Sequence, residues 1–221
     1  MTADTYQVPD LAPGTFHRTE QIIKKSRFIT SVAHTKTPEE AKRFIEKIRQ
    51  EFADATHNCW AFNASAAGST AQIGASDDGE PHGTAGKPML TVLIHCEIGE
   101  LTAVVTRYFG GTLLGTGGLV KAYQSSVRQA LETLPTCEKV IVRSLKVTVE
   151  HKFLTLILRT LPEFRGTIRC QEFGMDVMLE IEMPEQEIEK FSSKLTNMTS
   201  GAVLIAVSYT HLRAHETLSD L

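Results

Sequence analysis

The chain has 221 residues, 42% of them hydrophobic and 22% charged, with a formal net charge of −3. This allows one large domain or two small ones with a real core, and it excludes a polybasic nucleic-acid tail, so any contact with phosphate has to be local. No apolar run, Leu154 to Leu158 included, approaches the roughly 18 residues of a membrane span, and the N-terminus lacks the flanks of a secretion signal, so no membrane contact and a cytoplasmic address are expected.

Residues 1–15, which include Pro9, Pro13 and Gly14, read as a tail. Phe16 to Ile23 and Ser26 to His34 read as two strands around Lys24-Lys25. Thr37-Pro38-Glu39-Glu40 is a helix start: the threonine hydroxyl caps, the proline suits the first turn and Glu40 completes a capping box. The helix runs to about Ala53, with Ala41, Phe44, Ile45 and Ile48 on one face. Thr56 to Ser65 reads as a strand. Ala66 to Lys87 holds too little apolar material for an element of its own, and so long a connection is expected to be functional or mobile. Pro88 to His95 reads as a short helix and Glu100 to Phe109 as a buried strand. The glycine-rich stretch Gly110 to Gly118 then turns a corner into a helix from Leu119 to Leu134, which Pro135 ends.

Beyond Thr136 the pattern changes. Val142 to Glu150 alternates as a strand, Lys152 to Leu161 is helical, and Thr167 to Phe173 with Asp176 to Met183 forms a hairpin. Glu185 to Met198 is helical and Gly201 to Val207 is a strand. The order βαββαβ is that of a ferredoxin-like domain. The division is therefore a tail (1–15), a first domain (16–138), a second domain (139–207) and an unplaced end (208–221) foreign to both patterns. In that end His211 and His215 are four apart, but no third metal ligand accompanies them.

Cys59, Cys96, Cys137 and Cys170 contain no closely spaced pair and suit reduced thiols in a core. A nucleophilic Cys59 with His57 two residues away is the minority reading. Asp77, Asp78 and Glu80 place three carboxylates within four positions, which needs a cation, a donor-rich pocket or a proton if they are buried together. Mg²⁺ is a candidate cation, with Asp77, Asp78 and Glu80 as its ligands, and Lys87, beyond Gly83 and Gly86, is a candidate internal counter-ion; on composition alone the favoured reading is a solvated acidic turn. The corner with Gly110, Gly111, Gly115, Gly117 and Gly118 joins a strand to a helix N-terminus, which attracts anions. Its spacing matches neither a P-loop nor a dinucleotide fingerprint, so no cofactor is expected. Arg107 and Tyr108 before it and Lys121 after it suit phosphate and base contacts; the equal alternative is that the glycines permit close packing and the aromatic rings are core. Lys24, Lys25 and Arg27, with Arg18 nearby, extend the same basic character at a hairpin.

Three segments carry a resemblance: Lys25-Ser26-Arg27-Phe28-Ile29; Ser76 to Pro81 with Gly83 to Pro88; and Arg107 to Gly111 with Leu114 to Tyr123. On these the chain resembles the IMPACT family from about Phe16 to Ala206. The resemblance implies an α+β protein, with an N-terminal α/β domain of ribosomal-protein type and a C-terminal ferredoxin-like domain similar to the fifth domain of elongation factor G. Eukaryotic members of the family act in translational control through an additional N-terminal domain, to which no counterpart is expected here.

The leading expectation is a non-enzymatic protein that binds RNA or the ribosome and is linked to regulation of translation. Its phosphate contacts would be Arg107, Tyr108, Lys121 and the glycine corner, extended by Lys24, Lys25 and Arg27. Two readings from other classes stay open. One is a metal-assisted enzyme acting on a phosphoester or nucleotide through Asp77, Asp78 and Glu80; the other is a module that grips a protein partner.

Overall fold

The structure is a computed structural model that describes residues 5–208, and it divides into two units at Lys139 and Val140. The elements up to that point are β1 (Thr5–Pro9), β2 (His17–Ile23), β3 (Ser26–His34), α1 (Pro38–Glu51), β4 (His57–Asn63), β5 (Ile73–Ser76), α2 (Gly86–His95), β6 (Leu101–Tyr108), α3 (Thr116–Glu132) and β7 (Thr136–Val140). Five of the strands form one antiparallel sheet in the order β2-β3-β6-β4-β5.

Helices cover both faces of this sheet. Phe28, Val32, Cys59, Ala61 and Val105 pack against Met89 and Leu93 of α2 and Tyr123 and Val127 of α3. Ala33, Phe62 and Val104 meet Phe44, Ile45 and Ile48 of α1 on the opposite side. A strand at the middle of such a sandwich has no wet face, and β6 is accordingly buried from Leu101 to Arg107, its polar Thr102, Thr106 and Arg107 included. Thr37 caps α1 by accepting from the Glu40 amide, while the Glu40 carboxylate reaches back to the Lys36 amide at 2.7 Å, one residue earlier than a simple capping box predicts.

Three sequence expectations for this unit are corrected. The stretch expected to be a tail contributes β1, which pairs with β7. The connection expected to carry no element contains β5, an edge strand paired with β4 from Ile73 to Ser76, and the first residues of α2. Short edge strands need little apolar content, so composition hid this one. The third helix begins at Thr116, inside the glycine corner.

From Val140 onward the elements are β8 (Val142–Val149), α4 (Leu154–Thr160, with 3₁₀ turns on both sides), β9 (Thr167–Phe173), β10 (Val177–Pro184), α5 (Glu185–Met198) and β11 (Val203–Ser208). The order is βαββαβ, and the antiparallel sheet runs β11-β8-β10-β9. Leu145, Val147, Leu179, Ile181 and Met183 pack with Ile157, Phe164, Phe191 and Leu195 in its core. Ser208 closes β11, and His211, His215 and the rest of the expected foreign end lie outside the described residues.

Candidate functional site

The acidic segment follows β5 and leads into α2, and each of its carboxylates has a separate set of partners. Asp77 accepts from the amides of Gly83 (2.7 Å), Ala85 (3.0 Å) and Gly86 (2.8 Å), so it caps α2 from outside that helix. Burial alone would raise its pKa; the three amides outweigh burial and hold it below the usual carboxylate value. Asp78 accepts from the Arg49 guanidinium at 2.5 Å and the Asn58 amide at 2.7 Å, tying the loop to α1 and β4. Glu80 accepts from Arg107 Nη1 at 2.6 Å and from the Tyr123 hydroxyl at 2.8 Å. The carboxylates are therefore committed to donors of the protein, and among the described residues no three His, Cys, Asp or Glu side chains gather as a metal-ligand set. Lys87 is exposed and makes no ion pair among those residues; the counter-ion role expected of it falls to Arg107 and Arg49.

Around Glu80 the network is buried. Arg107 and Glu80 are 5% and 7% exposed, and Tyr123 is fully buried, with its ring edge against Phe28. The Cys59 thiol donates to the Asp77 carbonyl at 2.9 Å and lies 3.4 Å from the Tyr123 hydroxyl. Burial pushes its pKa well above that of a free thiol, the reverse of what a nucleophile requires. His57 Nδ1 donates to the Asp78 carbonyl at 2.8 Å, and its Nε2 is 3.9 Å from Glu80. The minority reading of a His57-activated Cys59 is corrected accordingly.

The glycine corner is different in kind. Its first two amides are used, Phe109 N donating to Thr56 Oγ1 and Gly110 N to Ser26 Oγ, at 3.1 and 3.2 Å. The amides from Gly111 to Gly118 find no acceptor among the described residues, and no side chain caps α3. Gly115, the N-cap, has φ 73° and ψ 165°, a conformation open essentially to glycine alone. A Cβ at Gly110 would lie 2.0 Å from the Lys25 carbonyl carbon and oxygen, so glycine there lets the corner rest on the turn between β2 and β3. A Cβ at Gly117 would meet nothing. Helical side chains lean toward the N-terminus, so the exposed Lys121 lies over Gly117 and Gly118, which have no side chains to block it.

The lysine turn that Gly110 touches is itself unusual. Ile23 pairs with Ser26, leaving Lys24 and Lys25 as a two-residue loop with φ of 44° and 67°, a conformation usually given to Asn-Gly. Both are exposed and make no ion pair among the described residues. The other expected cations are engaged. Arg27 forms a two-pronged pair with Glu20 at 2.7 and 2.8 Å, and Arg18 does the same with Glu51 at 2.6 and 2.8 Å. Tyr108 donates to Asp54 at 2.7 Å. The fold thus rests the Lys24-Lys25 turn against Gly110 at the start of the corner, sets Lys121 over Gly117 and Gly118, and withdraws Arg107 from the surface.

Comparison with known proteins bears on this constellation. Residues 24–131 match the Impact N-terminal domain, and residues 147–202 match a domain of unknown function, DUF1949. The chain is 47% identical over 186 residues to the Escherichia coli protein described as IMPACT family member YigZ, covering 84% of this chain and 91% of that one. The chain belongs to the IMPACT family. A Bacillus subtilis member, YvyE, is 39% identical over 183 residues, covering 82% of this chain and 83% of its own. A crystal structure described only as that of a hypothetical protein superposes with a TM-score of 0.69 at 42% identity, covering 94% of this chain and 99% of that chain.

The IMPACT N-terminal match spans everything from Lys24 to Lys121 and so contains both the buried network and the open corner. Sequence reasoning missed Ser26, Arg49, Thr56 and Asn58, which hold the site through long-range contacts. Their signal lies in strand register: once Arg27 is set opposite Tyr108 and His57 opposite Arg107, Ser26 and Thr56 fall beside the corner.

Proposed function

We propose that this IMPACT protein is a non-enzymatic RNA- or ribosome-binding protein of the cytoplasm, linked to regulation of translation. Phosphate meets the open amides at the start of α3, with Lys24, Lys25 and Lys121 around them. The observation that carries this reading is the contrast within one neighbourhood: every nearby carboxylate and arginine is paired inside the protein, while three lysines and the amides of Gly111 to Gly118 face solvent with no partner among the described residues. A helix N-terminus supplies donors and a favourable dipole, and lysines add point charge without sequence preference. Element order and sheet order support a ferredoxin-like reading of the second unit, and the sheet with helices on both faces is compatible with the ribosomal-protein type expected for the first. The test is RNA affinity across a salt series. The reading expects affinity to fall steeply with salt; absent or salt-insensitive binding contradicts it. Commitment of Asp77, Asp78 and Glu80 to internal donors leaves the metal-assisted alternative without a supporting observation.

A further inference from the structure

Beneath the corner one strong donor is left over. Arg107 spends Nη1 on Glu80 at 2.6 Å, and its Nη2 lies 3.3 Å from Ser26 Oγ, but its Nε is buried with no acceptor. In a guanidinium the Nε–H and one Nη2–H point the same way, as the two prongs that receive a carboxylate or phosphate. Ser26 Oγ is also the acceptor of the Gly110 amide, so this edge of Arg107 faces the first glycine of the corner. The outer wall is Phe109, 45% exposed, whose ring centroid is 5.5 Å from the guanidinium carbon. A buried N–H without a partner is costly and calls for an acceptor.

Building on the RNA-binding reading, we infer that the corner takes a terminal phosphate monoester, the 5′-phosphate of an RNA chain, with one oxygen reaching Arg107 past a displaced Phe109 ring and the others on the α3 amides. Depth sets the substrate class. A phosphodiester inside a strand carries a ribose on each side and lies along the surface, whereas a chain end presents a phosphate with three free oxygens, one of which can reach a buried donor. Lys121 and the Lys24-Lys25 turn then meet the phosphates that follow.

The test compares one single-stranded oligoribonucleotide, labelled at its 3′ end, carrying either a 5′-phosphate or a 5′-hydroxyl, on the full chain at fixed salt. The inference expects the phosphate to tighten binding at least about tenfold. Gly117→Asp places a carboxylate where the monoester sits; acidic residues stabilise a helix N-terminus, so this variant keeps its melting temperature and loses the preference. Arg107→Lys, which keeps a cation near Glu80 but has no two-pronged edge, loses most of it. Equal affinity for both ends overturns the inference while leaving the RNA-binding reading intact; binding of neither overturns both. Displacement by 5′-AMP as effective as by the phosphorylated oligomer overturns the assignment to an RNA end.

Discussion

Arg107 and Glu80 meet at 2.6 Å with both side chains almost wholly removed from water. A pair in that setting holds the acidic loop, β6 and α3 in one arrangement, because Tyr123 of α3 donates to the same carboxylate oxygen. Glu80→Gln keeps the shape and removes the charge, leaving Arg107 buried and unpaired; a loss of about 3–5 kcal/mol is expected in urea unfolding. The double variant Glu80→Gln with Arg107→Met should recover much of that loss. A single variant costing under about 1 kcal/mol would show that the pair does not organise the unit.

Glu100 gives a pH prediction. Burial alone would raise its pKa; the hydrogen bonds from His34 (2.9 Å), Lys139 (2.5 Å) and Tyr6 (2.7 Å), with the Lys139 charge, outweigh burial and hold it at about 2 against an ordinary 4.5. A carboxylate whose pKa falls on folding stabilises the fold at any pH above its unfolded value. That contribution is lost as pH drops through the folded one. The stability difference between the natural chain and Glu100→Gln should be constant above about pH 4.5 and shrink toward pH 2. A difference that does not change over that window would contradict the assignment.

Charge pairing separates the lysines from the arginines. Lys24→Ala, Lys25→Ala and Lys121→Ala should each lower the salt slope of RNA binding by roughly one phosphate's worth. Arg27→Ala and Arg18→Ala should leave it nearly unchanged, since Glu20 and Glu51 already neutralise those side chains. A uniform effect of all five would place the contact elsewhere.

The lysine turn sets binding against stability. Each non-glycine residue held at positive φ costs on the order of 1–2 kcal/mol. Replacing Lys24-Lys25 by Asn-Gly should therefore raise the melting temperature while weakening RNA binding. A variant that gains stability and binds RNA unchanged would remove the turn from the interface.

Cys59 should resist alkylation in the native chain, while the exposed Cys137 and Cys170 react; mass spectrometry after brief labelling distinguishes them. Labelling of Cys59 at the rate of Cys137 would mean that the buried network opens.

How much of this was legible in the sequence follows from the range of the interactions. Local signals held: Thr37 and Pro38 start α1, and Glu185 to Met198 form α5 with the predicted bounds. The corner was legible because five glycines in nine positions have few structural uses. Which cations stay free was not legible, since Arg107 and Lys121 are equivalent by composition. They differ only because β6 is central and buried, whereas Lys121 stands on the solvent side of α3. Nor did the acidic run reveal its partners: Arg49 is 29 positions from Asp78 and Arg107 is 27 from Glu80, and only the folded sheet brings them together.

The most direct measurement is an amide-resolved NMR titration of the chain with a short single-stranded RNA. The largest shifts are expected at Thr116, Gly117 and Gly118 and at Lys24 and Lys25, saturating together at one affinity. Shifts confined to the β8–β11 sheet, with those five amides unmoved, would contradict the placement of phosphate at the start of α3.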